Sequence, residues 1–392
     1  MKRTAWLQET RMLRFEEAFD AWTESRLTQE EAARLLGVCS RTFRRYVDRF
    51  EESGIDGLVD KRLSEVSSRR APVDEVVRLE ALYRESYKGW SVAHFHERYR
   101  ERHAGERSYT WVKNRLQESG LVAKGKRRGT PRRRRERAAI PGLLVHQDGS
   151  THEWVPGAAW DLIVTMDDAT SEVYSGFFVE EEGTWSSFRG VRETLETRGL
   201  FGSLYTDRGS HYWHTPAAGG KVDKASPTQF GRAMAELGIE MIPSYSPEAR
   251  GRSERFFGTV QGRLPHELAL EGITGMAEAN RYLGESFWPR TNRRFGVAAR
   301  AAGSAFVPLG DVDLDDILCV KEERTVGRDN CVGYRGRQLQ LPVTHGRHYV
   351  KRRVRVHEHA DATLSVFHGP RRLARFDAGG AVPAETLPVA AG

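Results

Sequence analysis

Three acidic residues stand in three different local contexts: Asp148 in LLVHQDGS, Asp207 in LYTDRGS and Glu254 in SPEARGRSERFFGTVQ. The first two close short apolar runs that predict strands. Each carboxylate is therefore expected at or near a strand end, in the crevice of an open sheet rather than in its core. Glu254 falls in a predicted helix whose Phe256, Phe257 and Val260 form the buried side. Laid across the sheet, that helix would bring the third carboxylate to the other two. An all-oxygen set of this kind suits Mg²⁺, with Mn²⁺ as a substitute, because Mg²⁺ keeps several waters and needs only a few carboxylates plus phosphate oxygens. Two such ions about 3.5–4 Å apart activate an attacking oxygen and stabilise the leaving one in an in-line phosphoryl displacement.

Each acid taken singly has an ordinary alternative. Asp148 before Gly-Ser and Asp207 before Arg-Gly-Ser could be turn formers, and Glu254 could be an exposed helix residue. Asp167 and Asp168 are the nearest competitors, and the tight turn from Asp168 to Ser171 predicts them exposed. Glu248 is accounted for by its place near a helix start. His146, His152, His211 and His214 lie close by without ligand spacing, as DNA or leaving-group contacts or as plain surface and strand-filling residues.

The elements that must position these acids follow from periodicity. LLVHQD, DLIVTMD and EVYSGFFV predict three strands, the last two joined as a hairpin. Thr184 opens a helix with Trp185, Phe188, Val191 and Leu195 on one side, and SLYTD is a fourth strand. A Gly/Pro-rich stretch then precedes the helix TQFGRAMAELG, the short strand IEMI and a long helix starting near Pro247. The order βββαβαβα, with a hairpin first and parallel additions afterwards, is that of a ribonuclease-H-like α/β core. Beyond about Ala302, short strands separated by Gly, Asn, Asp and Pro turns predict a small β-barrel.

The front of the chain has a different texture. Residues 1–140 hold 32 Lys and Arg against 22 Asp and Glu, a net of +10, whereas the rest is at −3. Such a surface favours polyanions through salt-sensitive phosphate neutralisation. Thr28 and Glu31 have capping-box spacing, and the helix they open stops at Gly37. Ser40 is expected to cap a second helix whose Phe43, Tyr46, Val47 and Phe50 share one face. Ser40, Arg41, Thr42, Arg44 and Arg45 are then left for DNA, as in a helix-turn-helix, the plainer alternative being a helical hairpin with a solvated basic face.

A second helical block spans Val73–Leu121. It carries Trp90, Val92, Phe95 and Tyr99 inward, then a helix capped by Ser108 with Trp111, Val112 and Leu116 inward and Tyr109, Lys113 and Asn114 outward. This block reads as a second DNA module or as a purely structural domain. KGKRRGTPRRRRER holds nine Lys or Arg in fourteen positions. It predicts a linker that tracks a phosphate backbone through Lys126, Arg127, Arg128, Arg132, Arg133, Arg134 and Arg135.

The expected organisation is multidomain: helix-turn-helix 1–66, second all-α helix-turn-helix-like module 67–123, basic linker 124–139, α/β core 140–302 and β-barrel-like domain 303–392. No run approaches the ~18 apolar residues of a membrane helix, and MKRTAWLQETRMLRF lacks an apolar signal region. A cytoplasmic, nucleoid-associated location is expected. Cys39, Cys319 and Cys331 are too few and too scattered for a zinc set or a disulfide framework.

QDGSTHEW, VTMDDAT, LYTDRGSHY and SPEARGRSERFFGTVQGRL together resemble the integrase-type core of bacterial DDE insertion-sequence transposases, most closely an ISNCY-like branch. The front and tail segments are similar to the flanking domains of that branch, so the resemblance covers nearly the whole chain. Gly251, Glu254, Arg255 and Phe256 stand where the family has G-x-x-E-R-F. The resemblance implies that Asp148, Asp207 and Glu254 are the catalytic, metal-binding triad, with Arg250 and Arg255 beside Glu254 as further DNA contacts. It also implies nicking at transposon ends and 3′-OH strand transfer into target DNA by a homodimer or larger assembly on paired terminal inverted repeats. The segment between Asp207 and Glu254 is longer than in many integrase cores, the excess falling in the Gly/Pro-rich stretch from Ser210 to Pro227. The alternatives are a catalytically silent, transposase-derived DNA-binding regulator, and a simple nuclease of the same fold.

Overall fold

A computed structural model describes residues 2–59, 71–125, 136–217, 220–245, 247–343 and 348–379, and the chain divides into two units, Met1–Ala81 and Leu82–Gly392. The first unit opens with α1 (Lys2–Thr23), α2 (Gln29–Leu35) and α3 (Ser40–Ser53). Thr28 and Glu31 form the expected capping box: Glu31 N donates to the Thr28 hydroxyl at 3.3 Å and Thr28 N to the Glu31 carboxylate at 2.8 Å. Phe43 and Val47 are buried against Phe15 and Ala18 of α1, with Tyr46 and Phe50 packed around them. One expectation fails. Ser40 does not cap α3, because Cys39 already adopts the extended backbone of a cap and its carbonyl accepts from Phe43 N at 3.0 Å, making Ser40 the first helical residue.

α4 (Val73–Ser86) bridges the two units in sequence and leads to α5 (Val92–Arg102) and α6 (Tyr109–Glu118). Ser91 and Ser108 cap α5 and α6 through His94 N and Trp111 N. Trp90, Val92, Phe95, Tyr99, Val112 and Leu116 are buried as their spacing predicts.

The centre is a five-stranded sheet in the order β3-β2-β1-β4-β5. β1 (Leu144–Val155), β2 (Ala158–Asp167) and β3 (Val173–Val179) form an antiparallel meander. After α7 (Thr184–Arg198), β4 (Ser203–Thr206) adds parallel to β1, and after α8 (Gln229–Glu236), β5 (Glu240–Pro243) adds parallel to β4. This is the expected βββαβαβα order. β1 is longer than its sequence suggests. β2 pairs with it from Val145↔Asp167 to Val155↔Ala158, and its polar second half, GSTHE, disguises the strand.

Each face of the sheet carries its own core. On one side, α7 and α8 bury Phe188, Val191, Leu195, Phe230 and Met234 against Val145 and Leu204. On the other lie α9 (Pro247–Gln261), α10 (Leu264–Leu270), α11 (Met276–Tyr282) and α12 (Trp288–Phe295), which bury Phe256, Phe257, Val260, Leu264 and Trp288 against Trp154, Leu162, Val164 and Met166. Trp288 approaches so closely that its indole N–H donates to Gly176 O at 2.7 Å. A Cβ on Gly176 would sit 2.5 Å from the ring.

The tail departs from the barrel expectation. After α13 (Leu314–Ile317), β6 (Val320–Thr325), β9 (Arg353–Glu358), β10 (Leu364–His368) and β11 (Arg371–Phe376) make an open four-stranded antiparallel sheet ordered β11-β10-β9-β6. β7 (Cys331–Tyr334) and β8 (Arg337–Gln340) form a separate hairpin over the shared core of Val332, Leu339, Val356 and Phe376. Among the described residues the strands do not close into a barrel, since the hairpin pairs only with itself. No helix of the described residues is long and apolar enough to cross a membrane.

Gly176→Val should force Trp288 out of its seat and cost about 1–3 kcal/mol, read as a lower urea midpoint. An unchanged midpoint would show that this contact does not fix α12 on the sheet.

Candidate active site and nucleic-acid interface

The position of Asp148 follows from strand register. β1 and β4 pair in parallel at Leu144↔Ser203, Val145↔Leu204 and His146↔Tyr205. Continued two residues, that register sets Asp148 level with Asp207. β4 ends at Thr206, so Asp207 is the first residue beyond it, whereas Asp148 lies mid-strand at the height where its neighbour stops. The expected strand end is thus borne out for Asp207. For Asp148 it is replaced by a notch in the sheet, which exposes the carboxylate to the same crevice. Both acids are half-buried.

Alternation along β1 sends neighbouring side chains to opposite faces. Gln147 faces α7 and donates to Thr165 Oγ1 and Ser187 O at 3.1 Å each. His146, Asp148 and Ser150 face α9. There Gln261 Nε2 donates to Ser150 Oγ at 2.9 Å, and Arg252 pairs with Asp168, which also holds His146 Nε2 at 2.7 Å. α9 is therefore tied to β1 directly through Gln261 and indirectly, through Arg252 and Asp168, at His146. Glu254 is exposed, one heptad before Gln261, and so lies on the same flank of α9. Ser253, Phe256, Phe257 and Val260 turn into the core. Among the described residues, no three His, Cys, Asp or Glu side chains form a ready metal-ligand cluster. Asp148 is level with Asp207 across β1 and β4, and Glu254 lies on the flank of α9 that Gln261 ties to β1.

Around Asp207 the backbone turns tightly. Its Oδ1 accepts Gly209 N at 2.8 Å, and Trp213 Nε1 donates to Thr206 Oγ1 at 3.0 Å. Tyr212 is buried beneath, donating to Gln147 Oε1 at 3.1 Å and Glu182 Oε1 at 3.4 Å. Burial raises the Tyr212 phenol well above its usual range, and the charges of Glu182, Asp207 and Asp148 raise it further. Glu182 is the carboxylate that meets this buried hydroxyl. Glu182 was not singled out from sequence. It ends the run EEE before α7, where acids are expected for dipole reasons alone.

Asp167 and Asp168 are fully buried, contrary to the exposed turn expected. Asp167 accepts Gly142 N and Thr170 N at 2.8 Å each. Asp168 accepts Ala138 N at 2.7 Å besides His146 and Arg252. Despite burial, the hydrogen bonds from His146 and Ala138 and the nearby Arg252 charge hold its carboxyl well below the usual range. They are structural clamps for the segment entering β1. His211 pairs with Glu182 at 3.4 Å, His214 is exposed near Asp223, and His152 packs edge-on to Trp154.

On the nucleic-acid side, Arg41, Arg44 and Arg45 are exposed along α3, with Ser40 and Thr42 half-buried at its start. Tyr109 and Asn114 are exposed on α6, while Lys113 is half-buried. Arg255 is exposed next to Glu254. Lys126, Arg127, Arg128, Arg132, Arg133, Arg134 and Arg135 lie outside the described residues, as does the side chain of Arg250.

A winged helix-turn-helix family matches residues 23–71. The chain is 32% identical over 354 residues to a Sinorhizobium fredii protein named "Putative transposase y4bF", covering 88% of this chain and 76% of that one. It is 31% identical over 162 residues to the transposase for insertion sequence IS1202 of Streptococcus pneumoniae, covering 41% of this chain and 35% of that protein. Among solved structures it is similar to a simian T-cell lymphotropic virus intasome, at 14% identity and TM-score 0.35 over 73% of this chain and 91% of that one. It is also similar to an HTLV-2 integrase catalytic core in complex with magnesium, at 15% identity and TM-score 0.30 over 38% and 87%. Scores this low add nothing to the geometry of the site.

Because Asp168 has a depressed folded pKa, its contribution to stability is full above the unfolded value of about 4 and is lost as pH falls below it. Asp168→Asn should cost about 3–5 kcal/mol at neutral pH by stranding Arg252 and His146. Its urea-unfolding free energy should then fall less steeply than that of the parent protein between about pH 5 and pH 2. Parallel pH profiles would remove Asp168 as the clamp.

Proposed function

We propose that this chain, which belongs to the DDE-type transposases, nicks DNA at the ends of an insertion sequence and transfers the freed 3′-OH to target DNA with Asp148, Asp207 and Glu254 as its catalytic acids. The observation that supports this most is the β1–β4 register, which sets Asp148 level with Asp207, together with Gln261, which ties the Glu254 flank of α9 to the same face of β1. The donor set fits the family's metal: three carboxylates offer only oxygen, which suits Mg²⁺, or Mn²⁺ in its place. When bound, Mg²⁺ would lower the pKa of a water and neutralise charge on the reacting phosphate.

The chain's own residues do the positioning. Asp148 and Asp207 offer their carboxylates at the sheet notch, and Glu254 closes from the helix side. Arg255, exposed beside Glu254, is placed to meet a phosphate of the incoming strand. Water attacks the phosphodiester at the element end and the 3′ oxygen leaves as a hydroxyl. That hydroxyl then attacks a target phosphodiester and displaces a second 3′ oxygen. One ester replaces another, so no external energy source is needed. Arg41, Thr42, Arg44 and Arg45, with Ser40, would read the terminal inverted repeat from α3, and the tract at 124–137 would follow the backbone between modules. Two ends must be held together for transfer, which calls for at least a homodimer.

Alanine at Asp148, Asp207 or Glu254 should reduce strand transfer by at least about 10³-fold, in line with loss of the main electrostatic stabilisation, while end binding stays within about twofold. Transfer retained by all three variants would end this assignment. End binding without any metal-dependent cleavage by the parent protein would favour a silent regulator instead.

Arg44→Ala with Arg45→Ala should weaken affinity for the terminal repeats by roughly tenfold or more, the loss expected for contacts of about 1–3 kcal/mol. Unchanged affinity in a binding titration would refute α3 as the recognition helix.

A further inference from the structure

A cleft of about 420 Å³ lies between α5 and α12, away from the three acids, and it is walled by arginine. Six arginines line it against three glutamates, and no lysine does. The two groups of arginine differ in role. Arg98, Arg263 and Arg290, at least partly buried, and the exposed Arg294, which meets Glu97 at 3.1 Å, are committed to carboxylates. Arg98 meets Glu267 at 2.6 Å, Arg263 grips Glu97 at 2.7 and 3.0 Å, and Arg290 pairs with Glu267. Glu267 is also bonded to His94 Nε2 at 2.7 Å and to Tyr282 OH at 2.6 Å, and these partners hold its carboxyl at about 2 despite burial. This network locks α5 to α10, α11 and α12.

Arg100 and Arg293 are the second group. They stand exposed on the two walls, one on α5 and one on α12, and form no ion pair among the described residues. A rigid basic wall with free guanidinium forks at its rim matches phosphate oxygens better than any neutral ligand. Through His96 the cleft borders the start of α6. His96, which lines it, donates from Nε2 to Arg107 O at 3.0 Å and meets the ring of exposed Tyr109 edge-on at 5.8 Å.

We propose that this cleft is a binding site for the phosphodiester backbone of duplex DNA, seated by Arg100 and Arg293 where a duplex along α6 reaches the catalytic unit. The inference rests on the transposase reading above and adds a phosphate site to it. Holding the duplex on both α5 and α12, it would fix the distance between the DNA module and the sheet notch.

The test uses the full chain, a random-sequence duplex of about 30 base pairs and fluorescence anisotropy over a range of salt. In Arg100→Glu/Arg293→Glu, and more mildly in Arg100→Ala/Arg293→Ala, the slope of log affinity against log salt should shrink by about two, with affinity near 0.1 M salt falling roughly tenfold to a hundredfold. Melting temperatures should match the parent protein, since neither arginine has a partner to lose. An unchanged slope and affinity in both variants, with the parent protein binding normally, would overturn the cleft and leave the transposase reading intact. Failure of the parent protein to bind duplex DNA at low salt would overturn both. Loss of mononucleotide binding with no change in the duplex slope would also overturn the proposal, assigning the cleft to a small anion.

Discussion

Three residue pairs carry the architecture: Leu144, Val145 and His146 of β1 in parallel register with Ser203, Leu204 and Tyr205 of β4. Because side chains alternate along a strand, a slip of one residue would send Asp148 to the α7 face and Gln147 to the α9 face. The register is set by burial on both faces. Val145 and Leu204 are buried together under α7 and α8, and the His146 and Tyr205 rings pack tilted on the opposite face at 5.1 Å. The acids inherit their alignment from that hydrophobic and aromatic packing rather than from any attraction of their own, since like charges repel.

The second constraint is the seating of α9. Its apolar side packs on Leu162, Val164 and Met166, but apolar packing alone allows a helix to slide or rotate. Two polar contacts prevent this. Arg252 reaches the buried Asp168 near one end, and Gln261 reaches Ser150 at the other. The clamp at Asp168 also holds His146, which is itself register-paired with Tyr205 and lies two residues before Asp148. Strand register and helix seating therefore meet at one buried carboxylate, and the flank of α9 that bears Glu254 follows from it.

Much of this was legible in the sequence. The strand and helix order, the inward faces of α3, α5 and α6, and the capping box at Thr28 all follow from local periodicity, and the structure repeats them. The failures have physical causes. The polar run GSTHE hides the second half of β1, yet β2 pairs with it as far as Val155. Asp167 and Asp168 were expected in solvent because turn chemistry is local, whereas their partners Gly142, Ala138 and Arg252 come from distant segments. The barrel was inferred from strand spacing, which does not encode whether a hairpin pairs beyond itself. Among the described residues α1 has no breaker in its sequence that sets it apart, so local chemistry gives no signal for it. Glu182 stands in an acidic run with a sufficient local explanation, and only the fold brings it to the buried Tyr212 hydroxyl and to His211.

The central claim is that Asp148, Asp207 and Glu254 serve one metal site. The most direct measurement is a crystal of the protein on DNA soaked in Mn²⁺ and examined by anomalous scattering. The account predicts Mn²⁺ peaks between the carboxylates of Asp148 and Asp207, with Glu254 as a further ligand. Peaks coordinated elsewhere, with Asp148 and Asp207 both unligated, would contradict it.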